Sequence, residues 1–315
     1  MAFVRLGRPQ FLVGGFLLYG IGTALGVLRG ARLDRAAYAL GQGAITSIQL
    51  MTHYANDYFD LAADRANATP TRWSGGSRVL PGGILSPRLA LRAALILGAM
   101  ALLLAAILVG RGSWAAAGTL VLAEILAWFY SAPPLTLHSR GLGELTTAVV
   151  VTGLTPVAGF LLQSRQSLDI SGVALAWQTM DSIAALGLVL WPLFGLQFAM
   201  LLAIEFPDAA GDRAVGKRTL VVRLGGAPAA GLYRAVLVAV YGALPLLLIA
   251  GAPSLVALAV VLPSPVAGWQ FLRLGRGDWN LPERWEGLAF RGVTSLVATA
   301  ACELAALCWL IVTRV

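Results

Sequence analysis

Apolar residues run along this chain in blocks, separated by short stretches that carry nearly all of the charge. Each block is close to the roughly 20 residues a helix needs to cross a bilayer. They cover approximately 11–28, 36–54, 90–109, 114–130, 146–162, 186–204, 230–250, 253–269 and 288–312. A bilayer leaves no water for unpaired backbone groups, so blocks of this kind predict helices. The pattern therefore predicts an all-α polytopic membrane bundle of about nine transmembrane helices, forming a single domain over residues 1–315. The seventh and eighth blocks are parted only by Gly251 and Ala252 before Pro253, which predicts a tight hairpin.

Composition supports this class and excludes a soluble one: 58% of the 315 residues are hydrophobic and 12% charged. The charge also sets the orientation. With the N-terminus inside, most of the 23 lysines and arginines fall in or beside the inward-facing segments. The expectation is an integral protein of the plasma (inner) membrane with its N-terminus cytoplasmic. A net charge of +8 could suggest nucleic acid, but it is spread over short loops. Topology and attraction to anionic headgroups and a phosphorylated substrate explain it, with no nucleic-acid partner. The first block is too long, and lacks a suitable small-residue site, for a cleavable signal peptide. Cys302 and Cys308 lie together in the last block and read as small packing residues. The segment 163–181 reads as an external loop.

The polar residues that interrupt this pattern carry the chemistry. If the second helix continues through Asn56, Asp60 and Asp64, these recur every four residues on one face, with Asp57 beside them. Downstream, Glu205 precedes Asp208 and Asp212, again directly after an apolar block. The same separation relates Asp60 to Asp208 and Asp64 to Asp212, which points to two related halves. Pro207 predicts a fresh helix start there, with Asp208 at its N-terminus.

Both clusters fall on the cytoplasmic side. An Asp near the centre of a membrane helix costs about 2.5–3.5 kcal/mol, less near the interface. Two carboxylates ~5 Å apart repel by ~3 kcal/mol at an effective dielectric of about 20. A cation must offset this, and Mg²⁺ suits hard oxygen ligands shared with substrate phosphates.

Further residues add detail. The stretch Arg72-Trp73-Ser74-Gly75-Gly76-Ser77-Arg78 is either a flexible surface loop or a phosphate-cradling lid; its place directly after an acidic helix favours the lid. Tyr130 closes the fourth block and reads either as an interfacial aromatic or as a ring facing a developing carbocation. Lys217 and Arg218 supply cations just beyond the second acidic pair. His53 reads as a hydrogen-bonded wall residue, and Thr152, Gly153 and Pro156 as a kink. Glu303, inside the last block, has no evident role.

Together these residues resemble the UbiA superfamily of intramembrane prenyltransferases. Asn56, Asp57, Asp60 and Asp64 match its first signature, and Asp208 and Asp212 its second. Ser74 to Arg78, the Tyr130-Ser131 turn and Gly216 to Leu220 also look like family features. The chain departs at Ile204 and Glu205, where many members carry Asn, and in having His138 or Arg140 for the basic residue after the Tyr turn.

The resemblance implies transfer of a polyprenyl group from a polyprenyl diphosphate to an aromatic acceptor. Mg²⁺ would be held by Asn56, Asp57, Asp60, Asp64, Asp208 and Asp212, the diphosphate contacted by Arg72, Arg78 and Lys217, and the cation stabilised by Tyr130. Within the family the chain looks most similar to the branch acting on 1,4-dihydroxy-2-naphthoate in menaquinone biosynthesis. Other acceptors and cyclisation without an acceptor share the same apparatus. Paired carboxylates also occur in transporters, although those lie near the midplane rather than the inner rim.

Overall fold

A computed structural model of the chain describes residues 1–164 and 182–313, and among these it contains helices and turns but no strand. The external loop expected over 163–181 lies, from residue 165 onward, outside the described residues. In chain order the helices are α1 (Ala2–Leu6), α2 (Leu12–Leu28), α3 (Arg35–Phe59), α4 (Leu61–Ala66), α5 (Pro87–Gly110), α6 (Trp114–Ser131) and α7 (Gly143–Gln163). There follow α8 (Ser182–Glu205), α9 (Ala209–Ala214), α10 (Leu220–Leu224), α11 (Gly226–Ile249), α12 (Ser254–Val261), α13 (Ser264–Gly275) and α14 (Pro282–Val312).

Among the described residues, seven helices are long and apolar enough to cross a membrane, or eight if the bent pair α12–α13 forms one span. The eighth block is therefore not the straight helix its hydropathy predicts. Leu262 and Pro263 interrupt it with a 41° bend, because proline removes a backbone donor and its ring clashes with the preceding turn. α3 is 25 residues long but carries Gln42, Thr46, Ser47, Gln49, Thr52 and His53, too many polar groups to qualify on composition. Leu95, Ile96, Leu103 and Ile249 project from the outside of the bundle, as lipid-facing positions require.

Two packed cores hold the helices together. One gathers α3, α5 and α6 around residues such as Ala44, Met51, Ala94 and Leu120; the other gathers α8, α11 and α14 around Leu193, Tyr233 and Leu296. α2 bridges them, packing on both α7 and α14. Its approach to α7 needs Gly22, where an added Cβ would lie 1.8 Å from the Pro156 carbonyl oxygen. Where the sequence marks a kink at Thr152 to Pro156, residues Ala148–Leu154 form a π-helical turn directly ahead of Pro156. Pro156 has no N–H for the ladder, and the widened turn absorbs the fault. His53 is the hydrogen-bonded wall residue anticipated, its Nδ1 2.7 Å from the Gly7 carbonyl oxygen.

The acidic segments lie where these two groups of helices meet. Helix α3 ends at Phe59, and Asp60 begins the six-residue α4; Asp208 begins the six-residue α9 in the same way. Asp64 and Asp212 then occupy the first turn of their respective helices, so the two motifs are built alike. Asp208 thus stands at the helix start that Pro207 predicts. The short helices pack against each other, with the Asn67 side-chain amide donating to Asp208 Oδ1 at 2.6 Å.

Candidate active site

A cavity of about 600 Å³ opens between α3, α4, α6, α8 and α9. It brings together Asn56, Asp60, Asp64, Asp208 and Asp212 from the two acidic motifs, with Tyr130 and Lys217. Residues nearly half the chain apart thus share one wall-to-wall space.

Asp60 is hydrogen-bonded to three side chains of the cavity. Its Oδ1 lies 2.7 Å from His138 Nε2, and its Oδ2 accepts from Lys217 Nζ at 2.9 Å and from Asn56 Nδ2 at 2.8 Å. Lys217 Nζ also reaches Asp212 Oδ1 at 3.5 Å, so one ammonium spans both motifs. Burial pushes the Asp60 carboxyl up, but Lys217 and His138 outweigh it and hold it well below the usual carboxylate range. Burial likewise opposes the charge of Lys217, yet Asp60 and Asp212 keep its ammonium well above its ordinary value.

Asp64 and Asp208 are in the opposite condition. Burial pushes Asp64 up to about 7, with Arg8 pulling it down and Asp60, Asp57 and Asp208 raising it further. Burial pushes Asp208 up to about 7 as well, Asp212 adding to the effect and Lys217 opposing it. Among the described residues Asp64 Oδ2 is buried and has no hydrogen-bond partner. These carboxyls hold more negative charge than their protein neighbours neutralise.

The glycine-rich loop folds directly onto them. The Gly75 N–H donates to Asp208 Oδ2 at 3.2 Å, and Gly76, at φ +72°, stands so close that a Cβ would fall 2.0 Å from Asp64 Oδ2. Ser77 donates through its N–H and its hydroxyl to Asp57, which also accepts from Arg8. Arg78 donates to the Asp64 carbonyl oxygen. Its Nη1 is therefore engaged by one of the chain's own acceptors.

Three of the expected site residues are not brought into the cavity. Asp57 is turned roughly a quarter of a helical turn away from Asn56 and is wholly buried against Arg8 and Ser77, so it fastens the loop. The Arg78 guanidinium is held behind Asp64, and that of Arg72 lies over the Trp73 ring, 5.5 Å from its centroid. Two basic side chains other than the predicted diphosphate contacts line the cavity instead. Arg8 lines the cavity from the N-terminal segment, with its buried Nε unpartnered among the described residues. His138 is the basic residue after the Tyr turn that enters; Arg140 instead donates to the Pro134 carbonyl oxygen. The His138 ring lies 5.1 Å from that of Tyr130. Nothing local in the sequence marks Arg8, because its partner Asp57 is far along the chain.

Comparison with known proteins decides what this arrangement belongs to. The model of the UbiA prenyltransferase family matches residues 11–311. The chain belongs to that family. It is accordingly an enzyme, a prenyltransferase transferring alkyl groups. It is 31% identical over 278 residues to the 1,4-dihydroxy-2-naphthoate octaprenyltransferase of Mycobacterium tuberculosis, covering 87% of each chain. The Bacillus subtilis enzyme of the same name is 25% identical over 266 residues, 83% of this chain and 79% of that one.

Solved structures show the same fold. A UbiA homolog from Archaeoglobus fulgidus bound to DMAPP and Mg²⁺ superposes with a TM-score of 0.63 at 18% identity, covering 99% of both chains. A UbiA homolog from Aeropyrum pernix K1 gives 0.64 at 16% identity, covering 95% of this chain and 98% of that one.

Proposed function

We propose that this prenyltransferase moves a polyprenyl group from an allylic diphosphate to 1,4-dihydroxy-2-naphthoate, with Mg²⁺ as cofactor. The observation that carries the reaction is the meeting of two Asp-x-x-x-Asp motifs in one cavity, with Lys217 between them. The acceptor follows from the relatives, whose names specify that naphthoate. On this reading α3 also crosses the membrane, giving nine spans, and the N-terminus and cavity face the cytoplasm.

The residues present fit the metal. Asn56, Asp60, Asp64, Asp208 and Asp212 offer hard oxygen donors, and Asp64 and Asp208 are strained for want of positive charge. Among the described residues no three His, Cys, Asp or Glu side chains converge into a complete metal cage. Mg²⁺ shared with phosphate oxygens needs only one or two carboxylates per ion, so an incomplete cage suits it. When bound, Mg²⁺ neutralises charge that develops on the leaving diphosphate.

The remaining work falls to the protein. Lys217 and Arg8 border the carboxylates and donate to diphosphate oxygens that the acidic groups alone would repel. As the C1–O bond breaks, its electron pair leaves with the diphosphate and C1 becomes an allylic cation. The Tyr130 ring, held beside His138, faces that cation, while Leu201 and Ile204 supply apolar wall. An electron-rich ring carbon of the acceptor then supplies the pair for the new C–C bond, and the ring recovers aromaticity when that carbon loses its proton, or its carboxylate as CO₂, with the bonding pair returning to the ring. The surrounding bundle excludes water, which would otherwise capture the cation.

The test is incubation of purified protein with labelled polyprenyl diphosphates of graded length and a panel of aromatic acceptors, followed by mass analysis of the lipid products. A Mg²⁺-dependent prenylated naphthoate is expected. Products formed only with another acceptor, or a cyclised chain without acceptor, would overturn the assignment while leaving the family intact.

A further inference from the structure

Away from the acidic cavity, two arginines stack on a single indole and a third lines the same hollow. A second hollow of about 460 Å³ is lined by Trp269, Arg273, Asp278, Glu283, Arg284 and Arg291. The guanidinium carbon of Arg291 lies 3.6 Å from the centroid of the Trp269 ring, and that of Arg273 lies 5.0 Å from it. Asp278 is taken by Arg273, its Oδ2 accepting from Nε at 2.5 Å. Arg291 donates to the Gly287 carbonyl oxygen at 2.8 Å. Among the described residues neither Arg284 nor Arg291 has a carboxylate within ion-pair distance. Asp278, already paired with Arg273, and Glu283 are the two acids that line the hollow against its three arginines. Gathering guanidinium groups in this way is unfavourable unless an anion joins them.

The position of the hollow limits which anion that is. It sits at the same end of the bundle as the acidic cavity: the Trp279 ring abuts Gly226, and Phe290 lies 6.1 Å from Trp73, which lines that cavity. Leu272, Leu281 and Phe290 are exposed around it, and Trp285 Nε1 donates to the Trp279 carbonyl oxygen at 2.7 Å. A cationic hollow ringed by tryptophans and exposed apolar side chains matches the boundary between headgroups and acyl chains.

We propose that this hollow binds the phosphate of an anionic phospholipid. Arg284 and Arg291 hold the phosphate oxygens, Trp269 braces the Arg291 guanidinium, and Leu272 and Phe290 lie along the acyl chains. A soluble diphosphate offers similar oxygens but no acyl chain to cover the apolar rim.

Native mass spectrometry of the full chain in a neutral detergent without Mg²⁺ tests this. The protein is titrated separately with phosphatidylglycerol, phosphatidylcholine and inorganic diphosphate. Phosphatidylglycerol is expected to bind preferentially. R284Q, at an exposed position, should weaken it about fivefold, as should R291Q. R291K should recover only part of the loss, because an ammonium keeps the charge without the planar stack. Equal retention of the two lipids by the unaltered protein, unchanged binding in folded R284Q and R291Q, or Arg284-dependent binding of diphosphate without lipid preference would each overturn the proposal.

Discussion

Replacing Gly76 by alanine asks whether the Asp64 carboxylate must stand where the structure puts it. The new Cβ would lie 2.0 Å from Oδ2 and 2.6 Å from Cγ, so the carboxylate has to retreat by about 1 Å before contact becomes tolerable. The backbone itself, at φ +72°, adds a left-handed cost of about 1–2 kcal/mol. Gly83 separates the two effects, since it has φ +68° in the same loop region and nothing within 4 Å of its would-be Cβ. Both variants should lose the backbone increment in thermal unfolding, and G76A should lose more because of the clash. In a prenyl-transfer assay in lipid, G76A should lose about 10²-fold in turnover, the scale expected for a misplacement near 1 Å, and should require more Mg²⁺. G83A should stay near the unaltered enzyme. Equal activity of the two variants would show that the position of Asp64 does not matter to the reaction.

Other outcomes follow from the same geometry. Strict chelation of divalent metal should abolish product formation, and D60A and D208A should each be nearly inactive in the same assay with their fold retained by circular dichroism. Asp64 and Asp208, pushed up to about 7, take up protons as pH falls through that value, and a protonated carboxyl cannot bind metal. The Mg²⁺ concentration for half-maximal rate should therefore rise from pH 8 to pH 6; a constant value would contradict the assignment. Because their folded values lie above the unfolded ones near 4, the metal-free protein should lose stability as pH rises between about 4 and 7. Thermal unfolding with and without Mg²⁺ checks this, the ion restoring stability at the upper end. G22A should cost about 1–3 kcal/mol or more by forcing α2 away from the Pro156 carbonyl oxygen, measurable as a lowered unfolding temperature.

The apolar blocks place the seven clear spans well, because a bilayer makes length and hydropathy decisive. They mislead where the backbone intervenes: Pro263 splits the eighth block, and α14 begins at Pro282, ahead of the apolar stretch that marks it. The spacing of the two aspartate pairs is legible because each pair is local. Even there the helix through Asn56 does not continue unbroken; it stops at Phe59 and restarts, with Asp64 N–H still bonded to the Asp60 carbonyl oxygen at 2.8 Å. Arg8, His138 and the inward choice of Lys217 over Arg218 depend on tertiary contacts between distant segments. A positive residue in a short inner loop looks the same whether it serves topology or the cavity, so Arg72 and Arg78 were indistinguishable in sequence from Arg8.

The ammonium stationed between Asp60 and Asp212 makes the arrival of a divalent ion an exchange rather than an addition. A lone ion must displace the Lys217 ammonium from Asp60 and Asp212, leaving it only its weaker attraction to Asp208 and Glu205. An ion that brings its own anion gives the evicted group a new place to rest. Metal and diphosphate should therefore load as one unit, and until they do Lys217 offsets the buried charge of Asp60 and Asp212 alone.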